Sequence, residues 1–98
     1  MKIAIPKERR QHEKRVAATP DTVKKYIALG FNVSIEKDAG KASQIMNNDY
    51  QDAGATIVDD VSSIYKDADI ILKVQKPMMA SEGELDEVSL IKKGTILI

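Results

Sequence analysis

The sequence predicts an α/β fold, an open parallel sheet with helices on both faces. Three observations carry that expectation. Five short apolar runs alternate with helix signals at intervals of about twenty residues, the rhythm of successive βα units. The run Asp69 to Val74, DIILKV, is almost unbroken in Ile, Leu and Val, as a central strand covered on both faces requires. The clearest helix signal, Thr19-Pro20-Asp21, stands just ahead of an apolar stripe at helical spacing that ends in a glycine.

Each element has its own local reason. Ile3-Ala4-Ile5 is an apolar run stopped by Pro6, which cannot donate to a ladder, so Lys2 to Ile5 reads as a buried first strand. In the first helix Thr19 can cap, Pro20 fits the first turn and Asp21 favours the positive helix end. Val23, Tyr26, Ile27 and Gly30 share one face, Lys24 and Lys25 lie on the wet side, and Gly30 is the expected stop. Phe31 to Glu36 alternates, with Phe31, Val33 and Ile35 one way and Asn32, Ser34 and Glu36 the other, which predicts a half-buried strand. Lys37 to Asn48 reads as a loop around Gly40, and Asn47 or Asn48 as the cap of a short helix, Asp49 to Ala53, ended by Gly54. Ala55 to Val58 is the third strand, and Asp59-Asp60 cap a helix with Val61, Ile64 and Tyr65 on its apolar side.

After the fourth strand, Gln75-Lys76-Pro77 and a loop with Met78 and Met79 lead to a helical stretch from Ser81 to Lys93, with Leu85, Val88 and Ile91 at spacing three. Gly94 breaks it, and Thr95 to Ile98 starts a fifth strand. This order predicts a Rossmann-like or flavodoxin-like sheet. Ile96-Leu97-Ile98 is apolar and uncapped, so the sheet is expected to be truncated at its fifth strand, within one partial domain over 1–98.

Composition narrows the function. Fifteen basic and fifteen acidic residues leave no net charge, against a general nucleic-acid or anionic-membrane binder. The 43% hydrophobic and 31% charged content fits a soluble globular domain, and one Phe with no Trp predicts a core of Ile, Val, Leu and Ala. With no cysteine there is no disulfide, no thiolate nucleophile and no Cys-ligated metal. No signal-peptide pattern opens the sequence and no apolar run nears the ~18 residues of a membrane span, so the expected location is cytoplasmic.

The informative stretch is Pro6 to Pro20, PKERRQHEKRVAATP. It holds Lys7, Arg9, Arg10, Lys14 and Arg15 in a connection longer than the roughly 2–6 residues usual between strand and helix. Loops at the carboxyl end of a strand are where open α/β sheets place ligands. Three readings stand: a solvated charge run with Glu8 and Glu13 interspersed, an anion site, or a nucleic-acid arm. The anion site would centre on Arg15, just ahead of the Val16-Ala17-Ala18 segment that must pack. A held guanidinium recognises a carboxylate or phosphate bidentately, and the helix start at Pro20 adds positive potential. The nucleic-acid arm lacks aromatic company. His12 reads as a surface residue, and no spacing supports a metal site. The five glycines never form G-x-G-x-x-G, so no dinucleotide fingerprint is present. Lys73, Gln75 and Lys76 end the fourth strand, either as ligand groups or as polar residues finishing it. Met78 and Met79 read as adaptable packing.

The segments MKIAIPKERR, EKRVAATPDTVKKYIALGF, DAGKAS, DYQDAGATIV, DADIILKVQKP and DEVSLIKKGTILI span the chain. Together they resemble the amino-terminal domain shared by alanine dehydrogenases and the alpha subunit of proton-translocating NAD(P) transhydrogenase. The P-K-E…R-V-A-x-T-P signature is specific to that family. In the dehydrogenase pattern, the Arg of R-V-A-x-T-P holds the substrate carboxylate, which matches Arg15. A lysine of K-V-K-x-P binds the keto oxygen, and here Gln75 stands in its place; Gln supplies no cation to polarise a carbonyl. The stretch KVQKPMMASEGELDEVSLIKKG is similar to the transhydrogenase branch instead.

The resemblance implies a first lobe of the NAD(H)-binding component, with the glycine fingerprint in a later lobe. Hydride would pass between NAD(H) here and NADP(H) on a partner component, coupled to proton movement. Implied partners are the rest of the alpha subunit, the beta subunit and a membrane component, in a homo-oligomer peripheral to the inner membrane. The isolated chain is expected to carry no cofactor, to bind NADH weakly or not at all, and to be inactive. Arg15 is expected to brace the loop against the cleft or line its nicotinamide side. Two alternatives stay open: the amino-terminal lobe of alanine dehydrogenase or a related amino-acid dehydrogenase, and a non-catalytic stand-alone interaction module.

Overall fold

Alternating apolar runs and capped helices give five strands and three helices in the computed structural model, which describes residues 1–9, 13–66, 68–75, 91 and 95–98. The strands are β1 (Lys2–Ile5), β2 (Asn32–Glu36), β3 (Thr56–Val58), β4 (Ile70–Ile71) and β5 (Ile96–Leu97); the helices are α1 (Pro20–Ala28), α2 (Asn47–Asp52) and α3 (Val61–Lys66). All strand pairs are parallel, in the order β3-β2-β1-β4-β5. β1 runs beside β2 from Lys2↔Asn32 to Ile5↔Ile35 and beside β4 at Ile3↔Ile70 and Ala4↔Ile71. The order reverses between β1 and β4, and that is where an open α/β sheet opens its ligand crevice. Apart from Ile91, the helical expectation over 81–93, and with it Met78, Met79 and Lys76, lies outside the described residues.

Helices cover both faces because side chains alternate along each strand. Ile3, Ile5, Val33 and Ile35 meet Val23 of α1, Tyr50 of α2 and Ala53 just after it on one face. Ala4 and Ile71 meet Ile64 and Tyr65 of α3 on the other. Ile5 and Ile35 are fully buried, each stabilising by roughly 1.5–3 kcal/mol relative to an exposed position.

α1 starts as its sequence dictates: the Thr19 side chain accepts from the Thr22 N–H and Pro20 opens the first turn. Gly30, at φ +98°, takes the left-handed conformation that ends the helix. Asp60 caps α3, accepting from the Ser62 N–H at 3.3 Å and the Ser63 hydroxyl at 3.0 Å.

Four expectations change. β2 is not half-buried: its polar positions Ser34 and Glu36 are covered along with Val33 and Ile35, since α3 packs over the side the alternation assigned to water. The core is not purely aliphatic, for Tyr50 and Tyr65 are its largest fully buried side chains. α2 starts two residues early, at Asn47, with Met46 at the cap position and its N–H donating to Asp49. The Asn47 side chain is committed elsewhere, accepting from the Asp38 N–H and donating to the Asp38 carboxylate. β4 is shorter than Asp69 to Val74, because the chain leaves the ladder where Val74 and Gln75 donate their N–H groups to Glu8.

Candidate functional site

The described parts of the connection from β1 to α1, residues 6–9 and 13–19, meet the ends of β2 and of the segment after β4, and three glutamates fasten them there. Glu8 is the deepest. Its side chain is 2% exposed, accepts from the N–H groups of Val74 (2.9 Å) and Gln75 (3.2 Å), and pairs at 3.3 Å with the equally buried Lys73 ammonium. A carboxylate so deep needs this full set of partners, since an unpaired buried charge is costly. On the other side of β1, Glu36 at the end of β2 accepts from the Lys7 N–H at 3.0 Å and forms a two-pronged ion pair with Arg9.

Glu13 completes the arrangement and brings the two predicted site residues together. It accepts from Arg15 Nε at 3.0 Å, Arg15 Nη2 at 3.0 Å, the Arg15 N–H at 2.9 Å and Gln75 Nε2 at 2.8 Å. The Glu13 side chain is 6% exposed, against 71% for Arg15. The Arg15 side chain, then the Gln75 amide, hold the Glu13 carboxyl down to about 2, and Glu13 in turn raises the Arg15 guanidinium above its ordinary value.

The second loop supports the first. Ser43 Oγ donates to the Lys14 carbonyl at 2.6 Å, and the buried Tyr50 hydroxyl donates to the Ala18 carbonyl at 2.6 Å. Burial, with the Asp49 charge second, pushes the Tyr50 phenol up to about 12, so it stays a donor. Gly40 permits this packing: a Cβ there would lie 2.8 Å from Tyr50 Cε2 and 2.9 Å from the Ile45 carbonyl oxygen.

The described loop is a solvated charge run at its exposed cations but not at its acids. Lys7, Lys14 and Arg15 are exposed while the acids are the buried, fastening groups, which the run of cations in the sequence concealed. Arg15 is held by the Glu13 carboxylate although its side chain is 71% exposed. Lys73 is an ion-pair partner of Glu8 rather than a polar strand end. Glu8, Glu13 and Glu36 are the residues that reading by charge run missed. His12 lies outside the described residues. A cavity of about 340 Å³, lined by Lys2, Ile27, Phe31, Asn32 and Thr56, sits at the amino ends of β1–β3. Parallel α/β sheets bind at the opposite end, so this hollow is not assigned the chemistry. Among the described residues no cluster of His, Cys, Asp or Glu is arranged for a metal, and no helix is long and apolar enough to cross a membrane.

Two features of dinucleotide-binding sheets of this order are used differently here. The β1–α1 turn is long and without G-x-G-x-x-G. The acid at the end of β2, which meets a ribose in such sheets, is occupied by Arg9 and the Lys7 N–H.

Sheet order and the first loop define the class: a parallel α/β lobe whose β1–α1 connection is braced by carboxylates beside the point where strand order reverses. The chain belongs to the alanine dehydrogenase/PNT N-terminal domain family, whose model matches residues 4–98. It is 50% identical over 98 residues to the first portion of NAD(P) transhydrogenase subunit alpha from Rhodospirillum rubrum, covering 100% of this chain and 25% of that protein. It is 40% identical over 97 residues to alanine dehydrogenase of Staphylococcus haemolyticus, covering 99% of this chain and 24% of that protein. The structure of transhydrogenase from Sinorhizobium meliloti matches with a TM-score of 0.87 at 35% identity, over 99% of this chain and 27% of that one. An L-alanine dehydrogenase structure matches with a TM-score of 0.88 at 31% identity, over 99% and 25%. The chain spans about a quarter of the length of these relatives.

Proposed function

We propose that residues 1–98 form an amino-terminal lobe of the NAD(H)-binding component of a proton-translocating NAD(P) transhydrogenase, which moves hydride between NAD(H) and NADP(H). The observation that carries this reading is Gln75, just past β4 and bound to the Glu13–Arg15 pair, where a keto-acid enzyme needs a cation to polarise a carbonyl. The 50% identity to the Rhodospirillum rubrum subunit supports the same choice.

On this reading the lobe shapes one wall of the cleft, and the pyrophosphate of NAD(H) rests on a later lobe bearing the glycine fingerprint. The commitment of Glu36 to Arg9 supports that division of labour. Arg15 and Gln75 then line the nicotinamide side as a braced pair, with no third substrate to hold. The rest of the alpha subunit, the beta subunit and a membrane component are the partners, which places the lobe at the membrane periphery in the full assembly. Alone, the 98 residues neither bind NADH tightly nor catalyse.

The test compares two activities of the full assembly. Reduction of an NAD analogue by NADPH, with no reduction of NAD by alanine, is the expected result. Alanine-dependent NADH formation would instead establish the amino-acid dehydrogenase reading, which the 40% identity to the Staphylococcus haemolyticus enzyme favours. Calorimetry of the isolated chain adds a second measurement: micromolar NADH affinity would overturn the division between lobes.

A further inference from the structure

Away from the first loop, the hollow at the amino ends of β1–β3 has a polar floor. Lys2, Asn32, Ser34 and Thr56 alternate with Ile3, Val33, Ile35 and Ile57, which pack toward α1 and α2, so the four share the opposite face of the sheet. Register sets Lys2 beside Asn32 and Ser34 beside Thr56. Paired strands lie about 4.8 Å apart and alternate residues about 7 Å apart, so these side chains form one compact patch. α3 packs on this face, but its six residues span only about 9 Å. Asn32 and Thr56 stay exposed at the rim of a cavity of about 340 Å³, with Ile27, Phe31 and Val58 as its apolar wall.

Ser34 points to a ligand. It is 3% exposed, and no described residue hydrogen-bonds its hydroxyl. Every fully buried side-chain polar atom among the described residues has a partner, so the Ser34 hydroxyl must open into the cavity it lines. Buried polar groups are normally hydrogen-bonded, and here the partner has to come from the side of the hollow. The Asn32 carboxamide and the Thr56 hydroxyl likewise have no partner among the described residues. Three side chains that both donate and accept thus line one space.

We propose that this hollow binds a small neutral polyhydroxylated molecule, the size of a single sugar ring, on Asn32, Ser34 and Thr56. The hydroxyls of such a ligand also donate and accept, which matches the three side chains. No carboxylate lines the cavity to receive a cation, and Lys2 already has a partner of its own, so no cation is reserved for an anion. A volume of about 340 Å³ lies near the lower end of the roughly 300–1,000 Å³ of ligand cavities, which suits one ring and not a dinucleotide. Ile27 and Phe31 offer apolar contact to the carbon face of that ring. Parallel sheets place their chemistry at the other end, so the site is non-catalytic and independent of hydride transfer.

The test is saturation-transfer NMR on the full-length protein, with D-glucose, D-ribose and myo-inositol as probes. At least one of the three is expected to saturate in the millimolar range. Ser34→Ala/Thr56→Val removes two hydroxyls with little change of shape and is expected to weaken that binding at least about tenfold. Thr56→Trp, at an exposed edge-strand position, fills the hollow and is expected to abolish binding. Both variants are first shown to melt cooperatively; Thr56→Val alone, with an expected loss of about threefold, replaces either that does not. No saturable binding of any probe to wild type up to about 50 mM overturns the proposal, including the case in which the remainder of the full-length protein covers the hollow. So does binding that the folded variants leave unchanged. Gluconate bound as tightly as the neutral probes would overturn it too, by making the hollow an anion site.

Discussion

At the scale of single residues, the chemistry of the loop rests on its acids. Glu13 titrates at about 2 rather than at the ordinary 4.5 because Arg15 and Gln75 hydrogen-bond its charged form. A carboxyl with a depressed folded value stabilises fully above its unfolded value and loses that contribution as pH falls through the folded one. The Glu13 anchor is therefore expected to be intact at neutral pH and to release between about 4.5 and about 2. A carbon-detected NMR titration of the Glu13 carboxyl checks this, and a midpoint near 4.5 would show that the Arg15–Gln75 clamp does not form. Arg15 could be singled out in the sequence because a packed apolar segment follows it. Glu13 could not, since nothing local distinguishes an acid that faces the cleft from one that faces solvent. Its partner Gln75 is distant in the chain and close only in the fold.

At the scale of elements, Glu8 joins the first loop to the end of β4. It satisfies the Val74 and Gln75 N–H groups just where the ladder gives out and neutralises Lys73 beneath them. Removing one partner of a buried ion pair costs roughly 3–5 kcal/mol, because the remaining charge is left uncompensated. Glu8→Ala is expected to fall in that range in urea unfolding, and Glu8→Ala/Lys73→Met to recover most of it. A single-variant loss below about 1 kcal/mol would mean that the pair does not hold the strand end. Element starts were legible where local chemistry sets them, as at Thr19-Pro20 and Asp60. They were not legible where a distant partner intervenes: Asn47 leaves the α2 cap for Asp38, and β4 ends early on Glu8. The alternation of β2 predicted one wet face, but what covers that face is α3, which no pattern inside β2 reveals.

At the scale of the whole molecule, fold class and parallel sheet were legible because repeated βα units admit few connections. The position of β1 follows from topology alone, and it makes the middle of the sheet the most protected part. Among the described residues β1 has a hydrogen-bonded neighbour on each side, while β3 and β5 have one each. Ile3, Ala4 and Ile5 are 3%, 0% and 0% exposed, whereas Ile96 of β5 is 53% exposed and Thr56 of β3 is also on the surface. Local opening scales with burial and with exposed backbone hydrogen bonds, so stability should fall outward from the centre. Native-state hydrogen exchange is therefore expected to be slowest at Ala4, Ile5 and Val33 to Ile35, with the amides of β3 and β5 faster by at least about tenfold. The Val74 and Gln75 amides bind a side-chain carboxylate rather than a ladder, and Glu8→Ala should speed their exchange more than that of β1. Equal acceleration across all strands would show that the Glu8 anchor is part of one global cooperative unit. Slowest exchange at β5 would place the stable centre at the other side of the crevice, contrary to the burial pattern.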